Sequence, residues 1–141
     1  MNDLDLLSHV FQTAEMGQDG IRTVLKYSRD EALNKALERQ QAEYQKLQTA
    51  AGAMMRERGI EPDGIGAVAK LSSEMMSTMK TVMDHSATKI AEMMIQGSTM
   101  GVTKSLRTIR DCPKAEGEVK DLAEKLLKTE QANIEEMKGF L

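Results

Sequence analysis

Residues 89–102, KIAEMMIQGSTMGV, decide the fold that this sequence predicts. The stretch is apolar and rich in methionine, and it carries two glycines four positions apart, Gly97 and Gly101. Residues four apart lie on one face of a helix, and glycine has no side chain to hold a neighbour away. We therefore expect the middle of a core helix in an all-α protein, with a neighbouring helix or a ligand close to both glycines.

The composition predicts one globular domain without a polyanionic partner. A length of 141 residues is typical of a single domain, here residues 1–141. Because the chain has only two Phe, two Tyr and no Trp, its core must be built from aliphatic residues and from the twelve methionines. The net charge of −3 and the scattered Lys and Arg provide no basic surface, so we expect no nucleic-acid partner.

Several features point to the cytoplasm. Cys112 is the only cysteine, which excludes an internal disulfide and fits a reducing compartment. The first twelve residues, MNDLDLLSHVFQ, show no basic region followed by an apolar run, so we expect no signal peptide. No run of 18 apolar residues is present, so we expect no membrane partner. We therefore predict a soluble cytoplasmic protein.

Apolar residues recur every three or four positions along most of the chain, which is the pattern of amphipathic helices. Ser28 and Asp30 are suited to cap the second helix, and Pro113 ends the fourth. The short connection near Arg29 makes the first two helices antiparallel neighbours. The predicted helices span approximately residues 3–27, 30–58, 67–83, 86–110 and 115–140.

The segment 67–110 admits two interpretations. One continuous helix of about 43 residues would be about 65 Å long, and a dimer would then have to cover its excess length. Alternatively, the helix breaks at Asp84, His85 and Ser86, where Asp84 or Ser86 can serve as an N-cap. We favour the break, because the shorter helix 67–83 then returns the chain along the other helices.

Counting outward from the turn near Arg29 aligns polar residues across the first hairpin. Gln18 falls level with Gln40 inside the apolar seams, and Glu15 falls level with Glu43 beside them. A mutually hydrogen-bonded Gln18–Gln40 pair that fixes the helix register is the simplest interpretation. Glu15 and Glu43 are either a carboxylate pair for a divalent cation or solvated charges at the rim.

The second hairpin repeats the pattern. Counting back from Pro113 places Gln96 level with Glu130, which lies within the apolar stripe of the last helix. Burying an unpaired carboxylate costs several kcal/mol, so Glu130 needs a hydrogen-bond partner, a metal or a proton. Together with Asn133 and the glutamines, Glu130 predicts a polar layer across an apolar interior.

The layout of two antiparallel hairpins joined by a helical crossover resembles the ferritin-like four-helix bundle. The run KIAEMMIQGSTMGV and the ending EKLLKTEQANIEEMKGFL are also similar to small uncharacterised proteins of anaerobic Gram-positive bacteria. Metal-binding ferritin-like proteins use Glu from two helices and Glu-x-x-His from two others. The positions that match these carboxylates are Glu15, Glu43 and Glu130. Lys46 and Asn133 stand where the motif needs His, and Gln96 stands where it needs a carboxylate.

The resemblance therefore implies a ferritin-like scaffold that has lost most of its metal site. We expect a non-catalytic protein that binds a partner or a small ligand, without a cofactor. The positions expected to line that site are Gln18, Gln40, Gln96, Gly97, Gly101 and Asn133. One alternative is a di-metal protein that holds iron or manganese at Glu15, Glu43 and Glu130, for iron handling or oxidant defence. A second alternative is a structural oligomerisation module.

Methionines on the crossover predict association. Met75, Met79 and Met83 recur at helical spacing, which is more typical of core packing or a helix–helix interface than of a copper site. We expect a homodimer through the exposed part of this stripe. His9 and His85 fall in no ligand motif and are expected at the surface or at helix caps.

Overall fold

The computed structural model describes residues 2–62 and 74–141, and the regular secondary structure of these residues is entirely α-helical. Four long helices are α1 (Asp3–Leu25), α2 (Glu31–Glu57), α3 (Ala87–Asp111) and α4 (Gly117–Lys138). Residues 74–81 are also helical. The all-α prediction is confirmed. The predicted start of a helix at residue 67 lies outside the described residues.

Short polar residues start the helices where the sequence predicts. Asp30 accepts a hydrogen bond from the backbone N–H of Leu33 at 2.8 Å and caps α2. Ser86 accepts one from the N–H of Lys89 at 3.2 Å and caps α3. Each bond satisfies one of the backbone donors that a helix N-terminus leaves unpaired.

The helical pattern of residues 67–110 is interrupted near residues 84–86, as the favoured interpretation predicts. The helix 74–81 ends before residue 82, and α3 begins anew at Ala87. In the connection, the Asp84 side chain accepts a hydrogen bond from the Ser86 N–H at 2.9 Å, and Ser86 itself caps α3. The continuous-helix interpretation is therefore wrong.

The long helices pack as two hairpins. α1 packs mainly on α2 and α3 packs mainly on α4, while α1 also contacts α3 and α4, and α2 contacts α4. His9 near the start of α1 meets Ser105 near the end of α3, and Arg39 near the start of α2 meets Glu136 near the end of α4. These contacts show that α1 is antiparallel to α3 and that α2 is antiparallel to α4, so that α2 and α3 run in the same direction.

The described residues on the two sides of the connection between α2 and α3 lie at opposite ends of the helices. Just after α2, Arg58 pairs with Glu116 at 2.8 Å, beside the turn that joins α3 to α4. At the opposite end, the Tyr27 hydroxyl lies 3.8 Å from Sδ of Met76, and the Tyr27 and His85 rings lie 4.8 Å apart. Arg58 and Met76 therefore lie at opposite ends of the helices.

The core is aliphatic, and the methionines divide between core and surface. Met79 is fully buried, whereas Met83 is 98% exposed and Met100 is 74% exposed. Met79 therefore belongs to the interior of the chain and does not form part of an exposed association stripe. Of the helices in the described ranges, none is long and apolar enough to cross a membrane.

Candidate functional site

A tyrosine and a glutamate from different hairpins meet in the interior. The Tyr44 hydroxyl of α2 donates a hydrogen bond to Oε2 of Glu130 in α4 at 3.3 Å. The two residues are only 4% and 3% exposed. Ser98 of α3 and Asn133 of α4 are also buried and face the Tyr44 hydroxyl. We call Tyr44, Ser98, Glu130 and Asn133 the central polar cluster.

Two glycines make room for this cluster. A Cβ atom at Gly17 of α1 would lie 2.6 Å from Cε2 of Tyr44, and one at Gly101 of α3 would lie 2.7 Å from Cδ of Glu130. Real Cβ atoms essentially never approach other atoms so closely. The prediction of close approach at Gly101 is confirmed, and the approaching group is the Glu130 carboxyl. All four long helices therefore shape the site.

Among the described residues, none provides a cationic partner for the Glu130 carboxyl. Burial raises its pKa from the ordinary 4.5 to about 8, and the Tyr44 hydrogen bond opposes this rise. Oε1 of Glu130 has no hydrogen-bond partner in the described part of the chain, and neither has Nδ2 of Asn133. An acceptor and a donor, one helical turn apart, are thus left unsatisfied in the interior.

Tyr44 keeps its phenolic proton at all physiological pH values. Burial raises the pKa of this hydroxyl, and the negative charge of Glu130 raises it further. Asn133 and Ser98 act in the opposite direction. Asn133 therefore lies near the hydroxyl, although its Nδ2 does not reach full hydrogen-bond geometry there.

The two predicted glutamines of the first hairpin are buried but do not pair. Nε2 of Gln18 donates to Oε1 of Gln48 at 2.5 Å, and Nε2 of Gln40 donates to Oε1 of Glu136 at 2.8 Å. The predicted Gln18–Gln40 hydrogen bond is therefore wrong. Both residues stay inside the protein, but each has a partner outside the central polar cluster.

The direction of helical side chains explains this difference. Cβ atoms point toward the N-terminus of their helix, so a long side chain reaches about one turn back. Nε2 of Gln18 lies 3.4 Å from the carbonyl of Ala14, which is level with Tyr44 in the count from Arg29. Gln48 reaches the same level from the other helix. The backbone count is consistent with the structure, and the side-chain direction shifts the contacts.

The same effect moves the contact in the second hairpin. Gln96 and Gly97 are exposed, and a Cβ at Gly97 would meet no described atom within 4 Å. Glu130 leans back toward the start of α4 and meets Gly101 instead. The prediction that Gln96 joins an internal polar layer is therefore wrong, and no described residue closely approaches Gly97.

The three predicted metal carboxylates occupy different environments. Glu130 is buried, Glu15 is half-buried, and Glu43 is exposed and pairs with Lys46 at 3.1 Å. Within residues 2–62 and 74–141, no group of three or more His, Cys, Asp or Glu side chains is arranged to hold a metal ion. The structure thus brings only Glu130 of this set to the central polar cluster.

A second buried polar group lies between α1 and α3. Nε2 of His9 lies 2.8 Å from Oγ of Ser105, and Nδ1 lies 3.3 Å from Oγ1 of Thr13. Burial lowers the pKa of His9 to about 4, and Lys104 adds to this effect. His9 is therefore an internal neutral residue, and the prediction of a surface or capping position is wrong for it.

Sequence reasoning missed Tyr44, Ser98 and Gly17. The position of Tyr44 could have indicated the site, because Tyr44 lies in the apolar seam of α2 and a buried tyrosine hydroxyl normally forms a hydrogen bond. Gly17 and Ser98 carry no comparable signal. The structural role of a small residue depends on the group that packs against it.

No protein-family model, curated protein or solved structure matches this chain. The resemblance to ferritin-like proteins and to proteins of anaerobic Gram-positive bacteria therefore stays a prediction.

Proposed function

We propose that this chain is a ferritin-like four-helix bundle that binds a small polar ligand at the central polar cluster and catalyses no reaction. The direction of the helices supports the fold. Ferritin-like bundles have one long crossover between their two hairpins, and here Arg58 after α2 and His85 before α3 lie at opposite ends of the helices.

One observation carries the binding function: Oε1 of Glu130 and Nδ2 of Asn133 are buried without partners among the described residues. Buried polar atoms in native proteins are normally satisfied, and an unsatisfied one costs about 1–3 kcal/mol. A ligand that interacts with both groups would recover this free energy. The chain is thus built to be more stable with a ligand than without one.

The protonation state of the cluster supports a non-catalytic role. Glu130, with a pKa of about 8, and Tyr44, with a raised pKa, both hold their protons at neutral pH. Neither group therefore supplies a strong base there. A general base works best when it is deprotonated at the operating pH.

Two alternatives remain as competing proposals. In the di-metal protein, iron or manganese would bind Glu130 together with Glu15 and Glu43, but the surface pair of Glu43 with Lys46 disfavours this set. In the oligomerisation module, association would use exposed apolar residues, and the 98% exposure of Met83 favours it.

Native mass spectrometry and elemental analysis of the purified protein test these proposals. We compare the wild type with Glu130→Gln, which keeps the shape of the side chain and removes its charge, and with Glu43→Gln as a matched surface control. We expect a bound species on the wild type and on Glu43→Gln that is absent from Glu130→Gln. Near-stoichiometric iron or manganese that both variants lose would support the di-metal protein. No Glu130-dependent species in any sample would refute ligand binding.

A further inference from the structure

We propose that the ligand of the central polar cluster is a single monovalent cation, Na⁺ or K⁺, held by oxygen atoms of Tyr44, Ser98, Glu130 and Asn133. This inference rests on the proposed binding function and specifies its ligand. It depends on three properties of the cluster: its donor atoms, its charge and its burial.

The donor atoms are those that hard cations prefer. Glu130 offers two carboxylate oxygens, the Tyr44 hydroxyl contacts one of them, and the Ser98 side chain faces the Tyr44 hydroxyl. Oxygen ligands of this kind suit alkali and alkaline-earth cations rather than soft metals. The cluster contains no Cys or His among its four members.

Asn133 completes the oxygen set. The oxygen and nitrogen of a carboxamide exchange places by a half turn about its last torsion, and their assignment follows the hydrogen bonds available. Nδ2 of Asn133 has no hydrogen-bond partner among the described residues. A half turn therefore puts Oδ1 in the place of Nδ2 without breaking a hydrogen bond of Nδ2, and so offers the cluster an oxygen.

The charge of the cluster selects a monovalent ion. Tyr44 from α2 and Gly101 from α3 lie against Glu130, and Gly17 from α1, Ser98 from α3 and Asn133 from α4 lie against Tyr44. Glu130 is the only one of them that ionises, because Tyr44 keeps its proton. One monovalent cation neutralises one carboxylate, whereas a divalent cation would leave a net positive charge in the low-dielectric interior.

Protons compete with the cation for the same carboxyl. Because the pKa of Glu130 is about 8, the carboxylate is fully available only above that pH. The apparent affinity for the cation should therefore fall about tenfold for each pH unit below this value. This dependence distinguishes the site from general effects of salt on stability.

The test is thermal unfolding of the full chain in NaCl, KCl or choline chloride at equal ionic strength, at pH 9 and at pH 5. Choline screens charges equally but is too large to be enclosed by the cluster. For the wild type at pH 9 we expect a higher Tm in NaCl or KCl than in choline chloride, and no difference at pH 5. The difference should be absent in Glu130→Gln and smaller in Ser98→Ala, which loses one oxygen ligand.

A further variant reverses the expected preference. Asn133→Asp adds a second carboxylate to the cluster, so that MgCl₂ should raise its Tm more than NaCl does. Equal Tm values of the wild type in all three monovalent salts at pH 9 would overturn the inference, as would a cation effect that persists in Glu130→Gln. A stronger response of the wild type to divalent than to monovalent cations would also overturn it. An organic species that depends on Glu130 in native mass spectra, without any cation effect, would refute the cation and leave the proposed binding function intact.

Discussion

Replacing Glu130 with Gln should remove a pH dependence of stability that this one residue creates. The pKa of Glu130 rises from the ordinary 4.5 to about 8 on folding because the carboxyl is buried. Each pKa unit corresponds to about 1.4 kcal/mol, so ionisation of Glu130 costs the folded state about 5 kcal/mol. The folded state holds this proton more tightly than the unfolded state. The stability it contributes is therefore complete below pH 4.5 and is lost progressively up to about pH 8.

Glu130→Gln has no proton to lose, so its stability should stay level where that of the wild type falls. The Gln amide introduces an N–H donor that needs a partner, which costs about 1 kcal/mol. At pH 9 the variant should therefore exceed the wild type by about 4 kcal/mol. The measurement is urea unfolding at a series of pH values between 4 and 9, in choline chloride so that no small cation occupies the cluster.

Glu43→Gln is the control for this experiment. Glu43 is exposed and pairs with Lys46 at the surface, so its loss should change the free energy of unfolding by less than about 1 kcal/mol at every pH. The decisive quantity is the slope of the free energy of unfolding against pH between pH 5 and pH 8. This slope should be about 1.4 kcal/mol per pH unit more negative in the wild type than in Glu130→Gln. Parallel curves for these two proteins would show that Glu130 is not a buried, unpaired acid.

Three further predictions concern neighbouring features. Gly17→Ala should destabilise the protein by about 1–3 kcal/mol in urea unfolding, because the added Cβ would overlap the Tyr44 ring. Gly97→Ala, whose Cβ would meet no described atom within 4 Å, should stabilise the protein by up to about 1 kcal/mol. Equal effects of the two substitutions would contradict the packing described. Tyr44→Phe removes the hydrogen bond that lowers the pKa of Glu130, so a carboxyl titration followed by NMR should show a higher pKa than in the wild type, and an unchanged value would contradict that bond. Folding lowers the pKa of His9 from 6.5 to about 4, so neutral His9 makes its full contribution to stability above pH 6.5. As the pH falls from 6.5 to 4, the free energy of unfolding should decrease by up to about 3 kcal/mol. The loss should appear as a difference in pH slope between the wild type and His9→Gln, and matching slopes would place His9 in water.

The sequence allows the helices to be predicted because their limits depend on local chemistry. Asp30 and Ser86 satisfy the first backbone donors of α2 and α3, and they do so wherever the helices pack. The burial of Glu130 was also predictable, since Leu126, Leu127 and Ile134 surround it on the helix.

The partners within the interior were not predictable by counting residues from a turn. Counting aligns backbones, but Gln18 and Glu130 each reach about one turn toward the start of their own helix. The central polar cluster also depends on Gly17, whose role is to leave space. Such a role becomes visible only when the side chain of Tyr44 has been placed against it.

The division of the cluster between two hairpins has a consequence for the order of folding. Each hairpin joins helices that are close in sequence, whereas Tyr44 and Glu130 are 86 residues apart and meet only when the hairpins dock. Local contacts generally form before distant ones because they close shorter loops. The carboxyl therefore stays hydrated until docking, and the folding chain takes up its proton from solvent in that late step. Alkaline conditions then oppose the assembly of the two halves while leaving each half free to form.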